Sequence, residues 1–564
     1  MIRGTALTRA MVWCAFFASP AVAQAQSATP SAVTPQTLRP EKSDNGLRVD
    51  IPESAALKPP AGSEGLMVRL GSVVVEGGFS EVVAESQAVI DRLRGQTVTL
   101  AQIYDAASQI EAAHARAGFV LARVVIPPQD IQDGGTLRIV VVDGFIEQVD
   151  VSAVPDRVRP AVARRLTGLE GRKHVRLGDI EQALLLANDV PGLTLRSTLM
   201  RGSQPGGTKL VIEGRHQLVS GSLGTDDSLA KSLGTWSVNG QVSLNSAFGW
   251  GEQIYGFVSS GDDLGKLFAD DPRVRVVGAG AVLPVGDGRL TLNPEVTLTR
   301  TQPKPSQGAP ITVGDLQRLA LRAGYTLHRT RKESLLLNGS VEQLDESNKA
   351  PQFALTLSRD RYTVGRLGIE LDRSANPRAS WGVAAEVSQG LGGRSRAEVL
   401  ASGIGYSRVG ASNDFTKMTA QAHALVSLSS NWDWATQFKA QTTGGRAVFR
   451  GEQFQLEGSD GLSGFIGGET AVDDGGAVRF EFRHRPFVWA GAAVAPYLFA
   501  ADGAGSNNRP TGLEPSNLRL STLGAGAHIT LGRVYIRVEY AHGTSNFAPL
   551  GDHDRVNATA SVRF

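Results

Sequence analysis

The sequence predicts a transmembrane antiparallel β-barrel of about 16 strands behind two small α+β domains. Three observations carry this reading: two-residue alternation through most of the chain after Gln217, a repeated strand–helix–helix–strand–strand pattern before it, and an export signal at the start. Bulk composition agrees. The 57 Lys+Arg and 55 Asp+Glu residues of the 564-residue chain leave +2, far from the basic excess of a nucleic-acid-binding protein. Hydrophobic residues make up 41%, and no run of about 18 apolar residues exists to form a membrane helix. Cys14 is the only cysteine, so a disulfide framework, a cysteine-zinc site and thiol chemistry are all excluded.

Residues 1–25 read as a signal peptide. Arg3 and Arg9 precede the short apolar core Ala10–Ala18, and Ala21-Val22-Ala23 or Ala23-Gln24-Ala25 supplies the small-residue cleavage site. Residues 26–66 carry Pro30, Pro35, Pro40, Pro52, Pro59 and Pro60, so they read as a linker with no long helix and no amphipathic plug.

Residues 67–143 form the first α+β unit. Met67–Glu76 is β-branched and strand-like, Phe79–Arg94 has helical spacing, and Thr99 with Gln102 makes a capping box for a second helix ending at Gly118. Phe119–Ile126 and Thr136–Val142 flank the Asp133-Gly134-Gly135 turn as a hairpin. Residues 144–215 repeat the pattern: strand Phe145–Ser152, helices Pro155–Leu166 and Arg176–Asn188, and the hairpin Leu193–Leu199 with Thr208–Glu213. Unpaired edge strands of such units can accept an added strand from a peptide.

Residues 216–564 read as the barrel. Val534, Ile536, Val538 and Tyr540 alternate with Tyr535, Arg537 and Glu539; Val478, Phe480 and Phe482 alternate with Arg479, Glu481 and Arg483. Arg289–Thr299 and Asn431–Lys439 behave alike. A soluble sandwich would also alternate, but three features favour a membrane. The polar face is rich in charge, as a water-filled lumen permits. Short turns such as Gly286-Asp287-Gly288 alternate with longer Gly/Pro-rich segments such as Thr301–Val313 and Gly503–Ser516. The chain ends on a strand, Val556–Phe564, whose apolar face closes on a terminal aromatic.

Enzyme motifs are missing. The nine histidines form no H-E-x-x-H, Gly461-Leu462-Ser463-Gly464 is no nucleophile elbow, and Gly278-Ala279-Gly280 precedes no helix. No catalytic residue, cofactor or metal site is expected.

Several local stretches, in this order, resemble the outer-membrane transporters of two-partner secretion, the haemolysin/haemagglutinin secretion-activation family. They are Gly118-Phe119-Val120 through Pro127-Pro128-Gln129-Asp130, Asp179-Ile180-Glu181 through Asn188-Asp189-Val190-Pro191-Gly192, and Leu244–Glu252. The resemblance covers about residues 66–564 and makes the two α+β units POTRA (polypeptide-transport-associated) domains. It implies a pore that secretes, and in some members activates, one large haemolysin- or haemagglutinin-type exoprotein, captured unfolded through its N-terminal secretion domain. It places Phe119, Val120, Gln129, Asp130, Glu181 and Asn188 among client-binding residues. It also implies a monomer in outer-membrane lipid, inserted by the barrel-assembly machinery, with its POTRA domains in the periplasm of a Gram-negative cell.

The family's inward-folded loop, expected near 443–468, carries a V-R-G-Y/F motif. Phe449-Arg450-Gly451-Glu452 resembles it, with Phe449 for the Val and Glu452 for the aromatic; Ser459-Asp460-Gly461 follows. By resemblance Arg450 tethers the loop to an inward-facing aspartate on a later strand, here Asp502. Two alternatives share parts of this architecture: a barrel-assembly insertase and a passive porin.

Overall fold

The computed structural model describes residues 29–35, 49–50, 58–305, 310–458, 461–466, 470–510, 515–548 and 550–564. The expected signal peptide and Asp460 lie outside the described residues. The chain divides into two compact units, Asn45–His216 and a second made of Met1–Asp44 with Gln217–Phe564.

The first unit holds two α+β domains. In the first, strands Met67–Glu76, Thr97–Thr99, Arg123–Val125 and Gly135–Val142 form one sheet. Its inner face buries Leu70, Val73, Leu137 and Ile139 against Val89, Ile90, Ile103 and Ile110 of the helices Val83–Leu93 and Leu100–Arg116. The capping box forms: Thr99 Oγ1 accepts from the Gln102 N–H at 3.2 Å, and the Gln102 amide accepts from the Thr99 N–H at 2.8 Å. The second domain pairs strands Phe145–Ala153, Leu193–Arg201 and Gly207–His216 beneath helices Arg159–Leu166 and Leu177–Asn188. Its outer edge is partly occupied, because Val49–Asp50 pairs in parallel with Ser197 and Thr198.

The second unit is a closed antiparallel barrel of sixteen strands, extended at one end by the short strand Phe487–Trp489. Pairing of His553–Arg563 with Val219–Asp226 closes it, in the register Thr559↔Asp226 to Arg563↔Ser222. The expected alternation is realised. In Val534–Ser545, Val538 and Tyr540 point outward, whereas Glu539 and Ala541 are fully buried inside. The outer face shows Leu367, Leu498, Leu523 and Val556, each more than 60% exposed. An apolar band of that extent belongs in lipid, not water. Near the short-turn end, Trp432 stacks on Phe482 with ring centroids 4.4 Å apart, part of an aromatic girdle.

Inside the wall, aromatic rings lie beside glycines of the next strand. A Cβ on Gly278, Gly280, Gly524 or Gly526 would come within 2.2–2.5 Å of the side chain of Phe257, Tyr255, Phe499 or Tyr497. Only glycine allows those rings to lie there.

The Pro-rich stretch expected to be a linker places one helical turn, Pro30–Val33, inside the barrel. Thr34 Oγ1 lies 2.7 Å from Thr299 Oγ1, and Arg318 donates to the Pro35 carbonyl at 3.0 Å. Val33 packs on Leu229, Leu233, Val274 and Val276. A single turn is too short to leave a helical period in the sequence.

Candidate functional site

Residues 443–473 connect the strands Trp432–Thr442 and Asp474–His484, and the described ones among them fold back into the barrel. Three sets of contacts hold this loop.

Its root is seated on aromatics. Phe449 is fully buried and stacks on Tyr362 at 4.5 Å between centroids, with Tyr406 and Phe415 edge-on at 5.3 and 6.2 Å. Three residues on, Glu452 is 1% exposed and surrounded by donors from the wall. Arg366 donates to it at 2.7 and 3.2 Å, Tyr362 OH at 3.1 Å, and Lys417 Nζ lies at 2.6 Å. Burial alone would raise this carboxyl, but Arg366 and Lys417 outweigh it and hold it down at about 2. The N-terminal turn meets the loop here, since a Cβ on Gly451 would lie 3.0 Å from Ser31 Cβ.

The tip is Leu462-Ser463-Gly464-Phe465. Ser463 Oγ donates to Glu539 and accepts from Arg479 at 3.1 Å; Arg479 also donates to the Gly461 carbonyl at 3.2 Å. Arg479 and Glu539, on the strands Asp474–His484 and Val534–Ser545, are themselves joined at 2.5 Å. Gly464 presses on the wall so closely that a Cβ would lie 2.9 Å from the backbone of Gly543. Leu462 and Phe465 pack with Ala477, Ala501 and Leu520.

The loop's far end is stapled to the long connection 394–415. Arg408, 4% exposed, donates to the Val448 carbonyl at 3.0 Å and to fully buried Asp473.

The expected Arg450–Asp502 tether does not form. Side chains alternate along Ala492–Ser506, so Tyr497, Phe499 and Ala501 face in, while Leu498 and Asp502 face out. Asp502 accepts from Ser521 at 2.6 Å and lies 3.9 Å from Arg519. Arg450 instead lies in the field of Glu346 and Asp360, with its N–H donating to Ser407 Oγ at 3.3 Å. Leu462 and Phe465 of the tip pack with Ala501 of that later strand, so neither member of the expected ion pair is present at that contact.

Four of the six residues expected to bind client are buried. Phe119, 3% exposed, packs on Phe79 at 4.6 Å beneath the Arg176 guanidinium, and Val120 belongs to the second domain's core. Asn188 is 1% exposed, and its side-chain oxygen accepts the Leu195 N–H at 2.9 Å; Glu181 is 8% exposed. Buried residues of this kind preserve a motif by packing. Only Gln129 and Asp130 face solvent, and Gln129 is paired with the Arg138 backbone at 2.7 and 2.9 Å.

Sequence reasoning did not single out Tyr362, Arg366 or Lys417, and it placed Glu452 and Ser463 in the loop region and Arg479 and Glu539 on polar strand faces without joining them. Alternation marks the strand residues among them as inward-facing and polar, but nothing in it ties them to a loop that is distant in sequence.

The comparisons with known proteins agree with this geometry. A family model described as haemolysin secretion/activation protein ShlB/FhaC/HecB matches residues 206–529, and one for the ShlB-type POTRA domain matches residues 68–144. The outer membrane transporter CdiB of Escherichia coli is 25% identical over 463 residues, 78% of this chain and 73% of that protein. The hemolysin transporter protein ShlB of Serratia marcescens is 26% identical over 330 residues, 56% of this chain and 53% of that protein. The solved structure of CdiB from Escherichia coli superposes with a TM-score of 0.68 at 22% identity, over 91% of this chain and 92% of that one. The chain therefore belongs to the ShlB/FhaC/HecB haemolysin secretion/activation family, as an outer-membrane transporter with POTRA domains in the periplasm.

Proposed function

We propose that this protein exports one large partner exoprotein, presented unfolded by its POTRA domains, through the barrel now filled by the 443–473 loop. The observation that carries the reading is a closed barrel whose lumen is occupied by two of the chain's own segments, the loop root and the N-terminal turn, which meet at Gly451 and Ser31. A wall built for passive diffusion needs neither segment nor periplasmic modules.

The client enters as an extended segment, because a folded domain is wider than the lumen of a sixteen-stranded barrel. It docks through its N-terminal secretion domain by strand addition or groove binding. The short strand Arg123–Val125 ends one sheet of the POTRA pair and, among the described residues, has no strand on its outer edge. The periplasm holds no ATP, so net movement is driven by differential binding and by folding of the client outside. No catalytic step is involved. The protein works as a monomer in outer-membrane lipid after insertion by the barrel-assembly machinery.

Deleting residues 67–213 is the test. Secretion of the partner should stop while the barrel still inserts, and the full-length protein should co-purify with one large exoprotein. Unchanged secretion refutes the proposal. Co-purification with many barrel precursors supports an insertase instead, and ion conductance without any client supports a porin.

A further inference from the structure

Besides the Arg408–Asp473 staple to the connection 394–415, the loop is held on the barrel wall at two places that differ in kind. At the tip it contributes only neutral groups, the Ser463 hydroxyl and the Gly461 carbonyl. The ion pair beside them, Arg479 with Glu539, lies wholly on the wall. When the tip lifts away, that pair stays intact and no charges are separated. At the root the situation reverses. Glu452 belongs to the loop, Arg366 and Lys417 to the strands Leu355–Asn376 and Thr416–Ser427. All three side chains are at most 16% exposed. Lifting the root therefore breaks a buried ionic contact, which is more costly than losing hydrogen bonds from neutral loop groups.

We infer that the ionic lock of the inward loop sits at its root on Glu452, with the carboxylate on the loop and the cations on the wall. Resting on the transport reading above, this makes Glu452 a positioning residue that sets how often the pore opens. Its neighbour Arg450 brings charge of the opposite sign into the field of Glu346 and Asp360. Two further features concentrate the lock there. Tyr362 stacks on Phe449 and donates to Glu452, so the aromatic seat and the ionic contact share one residue. Ser31 of the N-terminal turn lies over Gly451, so that turn must also shift when the root moves.

The charges around the lock come from every wall strand that faces it. Glu342 lies 3.8 Å and Glu386 4.0 Å from Arg366, so Arg366 keeps weaker partners when Glu452 leaves. Lys417 has no second carboxylate among the described ion pairs. Lys417 is therefore the cation most dependent on Glu452, and the natural partner for a charge exchange.

Single-channel recording on the purified full-length protein in planar bilayers tests this, with heat-modifiable migration to verify the folded barrel. Glu452→Gln should raise open probability about tenfold or more. Glu452→Lys combined with Lys417→Glu should return it towards the parent, which a merely structural role would not achieve. Asp502→Ala should stay within about twofold of the parent, as loss of an outward-facing contact, and Ser463→Ala should raise open probability less than Glu452→Gln does. The inference is overturned if Glu452→Gln closes as well as the parent, if Ser463→Ala opens the pore more, or if the exchanged pair fails to restore closure. Deleting residues 446–466, root and tip together, distinguishes failure of the lock from failure of the proposed route. An increase in current with that deletion, beside an unaffected Glu452→Gln, sinks the lock alone. No increase with the deletion removes the loop as the gate and with it the proposed route.

Discussion

Replacing Phe449 with Ala should release the loop without unfolding the barrel. Phe449 lies on the loop, so its side chain supports neither the strand ladder nor the lipid-facing surface. What it supports is docking: the ring is fully buried among Tyr362, Tyr406 and Phe415. Truncating a buried phenylalanine costs about 3–5 kcal/mol. In the undocked loop the ring is solvated, so most of that cost falls on the docked state alone. At 1.36 kcal/mol per factor of ten, the docked-to-undocked ratio falls by about 150- to 5,000-fold. Planar-bilayer current reads that ratio as more frequent or longer openings, and limited proteolysis reads it as new cleavage between 443 and 473. A folded Phe449→Ala barrel with current and cleavage within about twofold of the parent would refute the claim that this aromatic seat holds the loop.

Two further outcomes are expected. The Glu452 carboxyl is held below its ordinary value, so its contribution is fully present above the ordinary range near about 4.3 and is lost progressively as pH falls from there through about 2. Closure should therefore be the same at pH 7 and pH 6 and weaken only below about pH 5; an increase in open probability at pH 6 contradicts it. Asn188→Ala should orphan the Leu195 N–H and destabilise the second POTRA domain by about 1–3 kcal/mol, read as earlier proteolysis of residues 145–216. Export should fall in step with that destabilisation, whereas loss of export with unchanged protease resistance would return Asn188 to the client-binding surface.

The elements that repeat over many residues were legible. Alternation in Val534–Ser545 and Asp474–His484 correctly assigns Glu539 and Arg479 to the inside, since a buried face and a two-residue period leave one register. The capping box at Thr99 and Gln102 is local and equally readable. Asp502 shows where such reading stops: moving one place along a strand exchanges lumen for exterior, and a motif match tolerant by one residue loses that distinction. Glu452 shows another limit, because Arg366 is 86 residues away in sequence and is brought near only by barrel closure. Phe119 and Asn188 mark a third. A family pattern carries packing requirements as well as contacts, and these two residues serve the joint and the core.

The glycines beside inward aromatic rings have a consequence for the passage itself. A ring lying flat along the wall takes up about one layer of carbon contact, 3.5–4 Å of radius, whereas a ring standing upright takes up its whole length. Gly280 under Tyr255, and Gly524 and Gly526 under Phe499 and Tyr497, therefore widen the bore without adding a strand. Each such pair also ties two positions together. A side chain gained at the glycine would tip its ring into the path of the exported polypeptide, so the calibre of the conduit is encoded in glycines that never touch the cargo.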